Sequence, residues 1–378
     1  MARSLAWVAV LAAACHGGGS SPAGEGPIVL GEYNSLTGSE ATFGQSTHQG
    51  IALAVKEANA AGGIRGRQID LRTVDTASKV EEAGTAVTRL ITSDKAVAVL
   101  GEAASGRSIA GARVAQRYGV PMITPSSTNP QVTAIGDRIF RVCFVDSFQG
   151  YVLARYAREN LKVDRVAVFF DQAQPYSKGL AADFMKEFKS RGGQVVAEQA
   201  YTGGDQDFSA QLTTIREAAP QALVLPTYYT EGASIALQAR KLGLTMPLLG
   251  SDGWSSPQLT AIGGAAIEGA TYTDHYANDE ARPEVQAFVT KFQAEYGQPP
   301  ADVLAALGYD AARLLFEAMR RSDSLSGDAL AKTLAATHDF PAVTGVLTMD
   351  AKRNPTKSAV IVQIKDGKPR WVATINPP

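Results

Sequence analysis

A succession of short apolar runs, with helix-patterned segments between most of them, limits how this chain can fold. The runs are Ile28–Gly31, Ile69–Val74, Ala96–Leu100, Met122–Thr124, Ile139–Phe144, Arg165–Phe170, Val195–Gln199, Ala222–Pro226, Pro247–Gly250 and Gly269–Thr273. Between them, Ile51, Ala54, Val55 and Ala58 mark one apolar helix face. Val80, Ala83, Val87, Leu90 and Ile91 mark a second, and Phe184 with Phe188 a third. Strands alternating with helices predict βαβ units and an α/β fold with a mostly parallel sheet.

No composition break splits the chain into sequential domains. Instead Phe144–Gly150, Thr273–Asp279 and Leu347–Pro355 read as crossings between two discontinuous lobes. The end of the chain, Ser358–Ile364 and Arg370–Ile375, reads as a hairpin closing over Lys365–Lys368. At 378 residues and 45% hydrophobic content the chain can bury two cores. A net charge of −1 excludes the basic surface that nucleic acids or polybasic membrane contacts need.

The first residues stand outside this pattern. A short basic start precedes the apolar run Leu5–Ala14, too short to span a bilayer and right for a signal-peptide core. Cys15 follows, then a Gly/Ser-rich stretch. Residues 1–14 resemble a bacterial lipoprotein signal, with Cys15 as the lipidated residue and residues 15–26 as a linker. An ordinary secretory signal with an incidental cysteine is the alternative. The only other cysteine, Cys143, lies in an apolar strand and reads as a small buried hydrophobe.

The stretch Gly101–Thr133 carries the functional signal. Ser105 follows one apolar strand, and Ser126, Ser127 and Thr128 follow the next. In a parallel sheet both hydroxyl groups of residues fall at the carboxyl edge, where open α/β sheets bind ligands. Backbone N–H groups at a helix start beside short hydroxyls suit a small anion such as a carboxylate. Taken alone, Ser105 reads equally as a helix N-cap. No reaction centre accompanies this grip. His16, His48, His275 and His338 are scattered, and HExxH, CxxC, Walker A and GxSxG patterns are missing. Gly62–Arg67 follows a helix and reads as its C-terminal turn, and Glu81-Glu82 as a solvated face. Nothing calls for a metal or a cofactor.

In order along the chain stand IVLGEYNSLTG (Ile28–Gly38), GIALAV from Gly50, NAAGGIRG from Asn59 and Asp75. Gly101–Ser105, PSSTNP (Pro125–Pro130), Phe140-Arg-Val with Asp146, YSKG (Tyr176–Gly179), Asp207-Phe-Ser209, Tyr228-Tyr229 and GSDG (Gly250–Gly253) follow. This ordered set resembles the leucine/isoleucine/valine-binding proteins, type I periplasmic receptors of ABC importers. The resemblance implies two Rossmann-like lobes joined by a three-strand hinge. Residues 27–145 with 276–350 would form lobe 1, and 146–275 with 351–378 lobe 2.

It also implies the site. Ser105 and Thr128, with backbone groups of Ser126 and Ser127, would hold a ligand carboxylate through charge-assisted bonds. Asp252 would face the ammonium; the family resembles itself in having Glu there, so this chain reaches less far. Tyr228 and Tyr176 would close on the ligand, and Phe43 would wall its side chain. Trp254 is a further candidate to narrow that wall, and Glu102 and Glu231 are competing ammonium partners. The expected role is extracytoplasmic capture of a branched-chain or other apolar amino acid by a lipid-anchored periplasmic monomer, with delivery to an ABC permease and no chemistry. Alternatives are a receptor for a short amide, urea or aromatic carboxylate, or a sensor without transport.

Overall fold

The computed structural model describes residues 26–378, so the expected signal peptide and Cys15 lie outside the described residues. The chain begins with β1 (Ile28–Asn34), α1 (Ala41–Ala60), β2 (Ile69–Asp75), α2 (Val80–Thr92), β3 (Val99–Leu100), α3 (Ser105–Tyr118), β4 (Met122–Thr124), α4 (Gln131–Ala134) and β5 (Ile139–Arg141). These strands form one parallel sheet in the order β2-β1-β3-β4-β5. β1 is buried along all but one of its residues, as expected of a strand covered on both faces.

The chain then crosses to a second sheet. There follow α5 (Asp146–Glu159), β6 (Arg165–Asp171), α6 (Pro175–Ser190), β7 (Gln194–Tyr201), α7 (Ser209–Glu217), β8 (Ala222–Val224), α8 (Tyr229–Lys241), β9 (Leu248–Gly250), α9 (Pro257–Gly263) and β10 (Thr271–Asp274). After a second crossing, α10 (Pro283–Tyr296), α11 (Leu304–Arg321) and α12 (Gly327–Ala335) return to the first sheet, where α11 packs on α1. Proline in the first turn starts α6 and α10, where its missing N–H costs nothing. A small antiparallel sheet of β11 (Phe340–Ala342), β12 (Gly345–Met349) and β13 (Pro355–Thr356) precedes the third crossing. The hairpin β14 (Ala359–Lys365) and β15 (Lys368–Ile375) then completes the second sheet, ordered β15-β14-β10-β9-β8-β6-β7.

Each sheet carries helices on both faces. In the first, Val87, Leu90 and Ala112 of α2 and α3 pack on Val99 and Met122, while α1 and α11 cover the other face. In the second, α5 and α6 bring Leu153, Phe184 and Phe188 against Val166 and Val168. Two sequence expectations shift. The run Ile139–Phe144 leaves the strand after Arg141 and becomes the first crossing, and the helix expected near Tyr151 already opens at Asp146.

This topology positions the site. In the first sheet the order reverses between β1 and β3, and in the second between β6 and β8. Such switch points leave a crevice at the carboxyl ends of the strands, and the chain places both crevices where the lobes meet. Direct bonds join the lobes there. The Tyr229 hydroxyl donates to Ser39 O (2.9 Å), the Thr42 and Ser256 hydroxyls are 2.9 Å apart, and Asn129 Nδ2 donates to Pro175 O (2.7 Å).

Candidate functional site

Between the lobes, one small cavity is lined by Phe43, Ala103, Ser105, Ser126, Thr128, Tyr176, Tyr228, Asp252, Gly253 and Leu304. The polar members follow strands of both sheets: Ser105 after β3, Ser126 and Thr128 after β4, Tyr176 after β6, Tyr228 after β8 and Asp252 after β9. The closed lobes leave about 10 Å³ among them, on the order of one water. Capture of anything larger therefore needs the two faces to part further than they do here.

The first-lobe face is built on a tight turn. Gly101 has φ +113°, and a Cβ there would meet Tyr33 O at 1.9 Å, so only glycine lets β3 pass into α3. Ser105 is the first helical residue of α3; the N-cap is Ala104, which makes no side-chain cap. The Ser105 hydroxyl instead accepts from Asn129 N at 3.3 Å, tying the two hydroxyl-bearing loops together. Thr128 Oγ1 is buried with no well-formed hydrogen bond, the Asp146 carboxyl being its neighbour. Such a hydroxyl, in one cavity with the start of α3, is suited to a ligand anion, since a poorly met buried polar group is costly.

Ser127 does not join them. Its hydroxyl bonds Ser108 Oγ (2.7 Å), Ala103 O (2.9 Å) and Glu102 O (3.0 Å), and its N–H donates to Thr124 Oγ1 (3.1 Å). Its carbonyl accepts from Arg141, a fully buried guanidinium that also reaches Asn129 O at 2.8 Å. All its polar groups thus brace the loop from behind, and it is absent from the cavity lining. Cys143 is buried as expected, with Sγ 3.4 Å from the same carbonyl, and burial pushes its thiol up to about 12.

The second-lobe face centres on Asp252, 8% exposed. Its Oδ1 accepts from Tyr176 Oη (2.6 Å) and Gln149 Nε2 (2.8 Å), while Oδ2 meets only His275 Nε2 at 3.4 Å. One carboxylate oxygen is held in place and the other keeps accepting capacity. Tyr176 Oη also accepts from Gly253 N (3.0 Å). A side chain at Gly253 would press on Thr227 O at 2.7 Å and on the Tyr176 ring, so glycine permits this approach. Tyr228 stacks on Tyr176 (5.1 Å, 13°) and meets Phe43 edge-on across the cleft (5.9 Å, 75°). Its hydroxyl is buried and unpartnered.

Trp254 narrows nothing. It is fully buried beneath the loop, bonded to Thr227 Oγ1 at 3.2 Å and pressed against Gly232 and Gly250. The rival carboxylates are also placed elsewhere. Glu102 is engaged by Arg107 Nε (2.9 Å), Ala104 N (2.8 Å), Ser35 and Thr76. Glu231 sits in the first turn of α8, outside the lining, where burial pushes it up to about 7.

The structure adds groups whose role the sequence did not show. Asp146, at the start of α5, is fully buried, its carboxyl beside the Thr128 hydroxyl and without a well-formed hydrogen bond. Burial, and the Asp252 charge beside it, push it well above the usual carboxylate range. His275, on the second crossing, stacks on Phe144 of the first (3.9 Å between centroids). Burial pulls it down to about 4, so it is a neutral ring that can donate from Nε2 to Asp252. Asp146 did stand in a recognisable FVDSFQG run. Gln149 stands in the same run and His275 in the Thr273–Asp279 crossing, but no local pattern shows that both reach Asp252.

Residues 27–369 match a family model described as periplasmic binding protein. The chain belongs to that family. A Leu/Ile/Val-binding protein homolog from Brucella melitensis is 31% identical over 335 residues, 87% of this chain and 89% of the relative. A leucine-binding protein, LivK, from Thermotoga maritima superposes with a TM-score of 0.88 at 38% identity, covering 93% of this chain and 99% of that one. The branched-chain amino acid substrate-binding protein LivJ from Streptococcus pneumoniae, solved with isoleucine, gives 0.87 at 34% identity, with 93% and 100% covered. The periplasmic binding protein assignment makes the chain a solute-binding receptor.

Proposed function

We propose that this receptor captures a branched-chain or similar apolar amino acid between its lobes and presents it to an ABC permease. The observation that carries this reading is Asp252 Oδ2, underused by protein partners, in one cavity with the poorly met Thr128 hydroxyl and the first turn of α3. An amino acid offers the matching pair of charges. Its carboxylate would meet Ser105, Thr128 and backbone N–H groups, Ser126 included; its ammonium would meet Asp252 and the Tyr228 hydroxyl. Phe43 and Leu304 leave only apolar surface for the side chain. Asp252 is one methylene shorter than the family's glutamate, and Gln149, Tyr176 and His275 fix where that shorter carboxylate ends.

Capture follows from the hinge. The open receptor holds the carboxylate on the first lobe; closure brings Tyr228 and Asp252 over the ammonium. Residues 1–14 would serve as a signal peptide and Cys15 as the lipid anchor, keeping a monomeric receptor beside its permease.

A thermal-shift screen against apolar amino acids, amides and aromatic acids tests the assignment. Ligand at a hundredfold over Kd should add about 2.7 kcal/mol of stability. A shift confined to amides or aromatic acids would contradict it.

A further inference from the structure

A second chamber lies on the seam between the lobes, beside the cleft. Its volume is about 490 Å³, within the range of small-molecule sites. Val289 and Val303 on the first-lobe side, and Leu259 and Ile364 on the second, give it an apolar wall. Its lining carries both acidic and basic groups. Asp274 and Asp302, 2% and 6% exposed, lie within, together with Tyr276, whose hydroxyl is fully buried and has no partner. Lys368 and Arg370, exposed on the closing hairpin, also line it.

Asp302 accepts from Ser46 Oγ (2.8 Å) and Leu304 N (2.9 Å) and Asp274 from His275 N (2.8 Å), but among the described residues neither carboxyl is in an ion pair. Burial and the neighbouring carboxylates hold Asp274 well above the usual carboxylate range, and burial holds Asp302 up to about 7. The Tyr276 hydroxyl feels the charge of both carboxyls, and of Asp310 and Glu280. A small cation placed among them would relieve both the burial cost and the unmet hydroxyl.

We propose that this chamber is a second binding site for a small zwitterion with an apolar side chain. Its ammonium would lie among Asp274, Asp302 and the Tyr276 hydroxyl, its carboxylate toward Lys368 and Arg370, and its side chain on the apolar wall. The proposal goes beyond the cleft reading and borrows from it only the choice of leucine as probe. Because the walls come from both lobes, an occupant stabilises the closed arrangement.

Equilibrium dialysis of the protein with radiolabelled leucine, from micromolar to millimolar, tests this. Two leucines per chain are expected, the second filling at higher concentration. Asp252→Ala should lose the first and keep the second. Asp274→Asn and Ala301→Trp, one removing charge and the other filling the mouth, should each keep the first and weaken the second at least about tenfold. Two variants of unrelated kind guard against loss of fold, which melting curves check. Uptake that stops at one leucine per chain overturns the chamber and leaves the cleft standing. A second uptake untouched by both chamber variants overturns its location, and no uptake at all overturns the two sites together.

Discussion

The two faces of the cleft are built by opposite means. On the first lobe, Ser105 and Thr128 sit on loops fastened to main chain: Ser127 and Arg141 together bond the carbonyls of residues 102, 103, 127 and 129. On the second lobe, Asp252 is held by side chains alone, from Gln149 and His275 far along the chain and Tyr176 across the sheet. The first face is a rigid seat. The second is set partly by Gln149 and His275 at the hinge crossings, so on the proposed reading closure would also assemble the ammonium partner. Specificity can therefore change on the second face without disturbing the fold of the first.

Breaking the second face should have the largest effect. Asp252→Ala should weaken amino-acid binding by about 2–5 kcal/mol, thirtyfold at the least, read by titration calorimetry, with little change in melting temperature without ligand. On the first face, Ser105→Ala and Thr128→Val should each cost roughly 1.5–3 kcal/mol of affinity, the worth of a bond to a charged group. Ser127→Ala should separate bracing from contact. It should lower unfolding free energy by about 1–3 kcal/mol while Kd for ligand moves by less than about threefold. A large loss of affinity at unchanged stability would return Ser127 to the site.

The smallest effect concerns pH. Burial depresses His275 from 6.5 to about 4. As pH falls, the unfolded chain takes up this proton first, so the stabilisation is whole above about 6.5 and shrinks towards pH 4. His275→Gln cannot titrate. Its melting temperature should fall less than the parent's over that window, and parallel curves would show that His275 is not the group responsible.

The alternation of strand and helix was readable because a parallel sheet buried on both faces leaves uninterrupted apolar runs. The crossings were readable from polar and glycine-bearing breaks, although Asp146 opened its helix earlier than the apolar pattern suggested. The hydroxyl clusters could be read because βα turns fix where they emerge. Which of Ser126, Ser127 and Thr128 faces the cleft could not, since that depends on Arg141 drawing the Ser127 carbonyl inward. The brace on Asp252 was hidden for a similar reason. Gln149 lies 103 residues from it and His275 23, and only the hinge brings them together. Trp254 stood beside Asp252 in sequence yet turned under the loop, where glycines make room for its ring.

The central claim is that the cleft reads both charges of an amino acid at once. Titration calorimetry with leucine and with isocaproic acid, which is leucine without its amino group, tests it most directly. Leucine should bind in the cleft, and isocaproic acid should bind at least about thirtyfold more weakly, with Asp252→Ala erasing the difference between them. Equal affinity of the unmodified protein for the two would contradict the account.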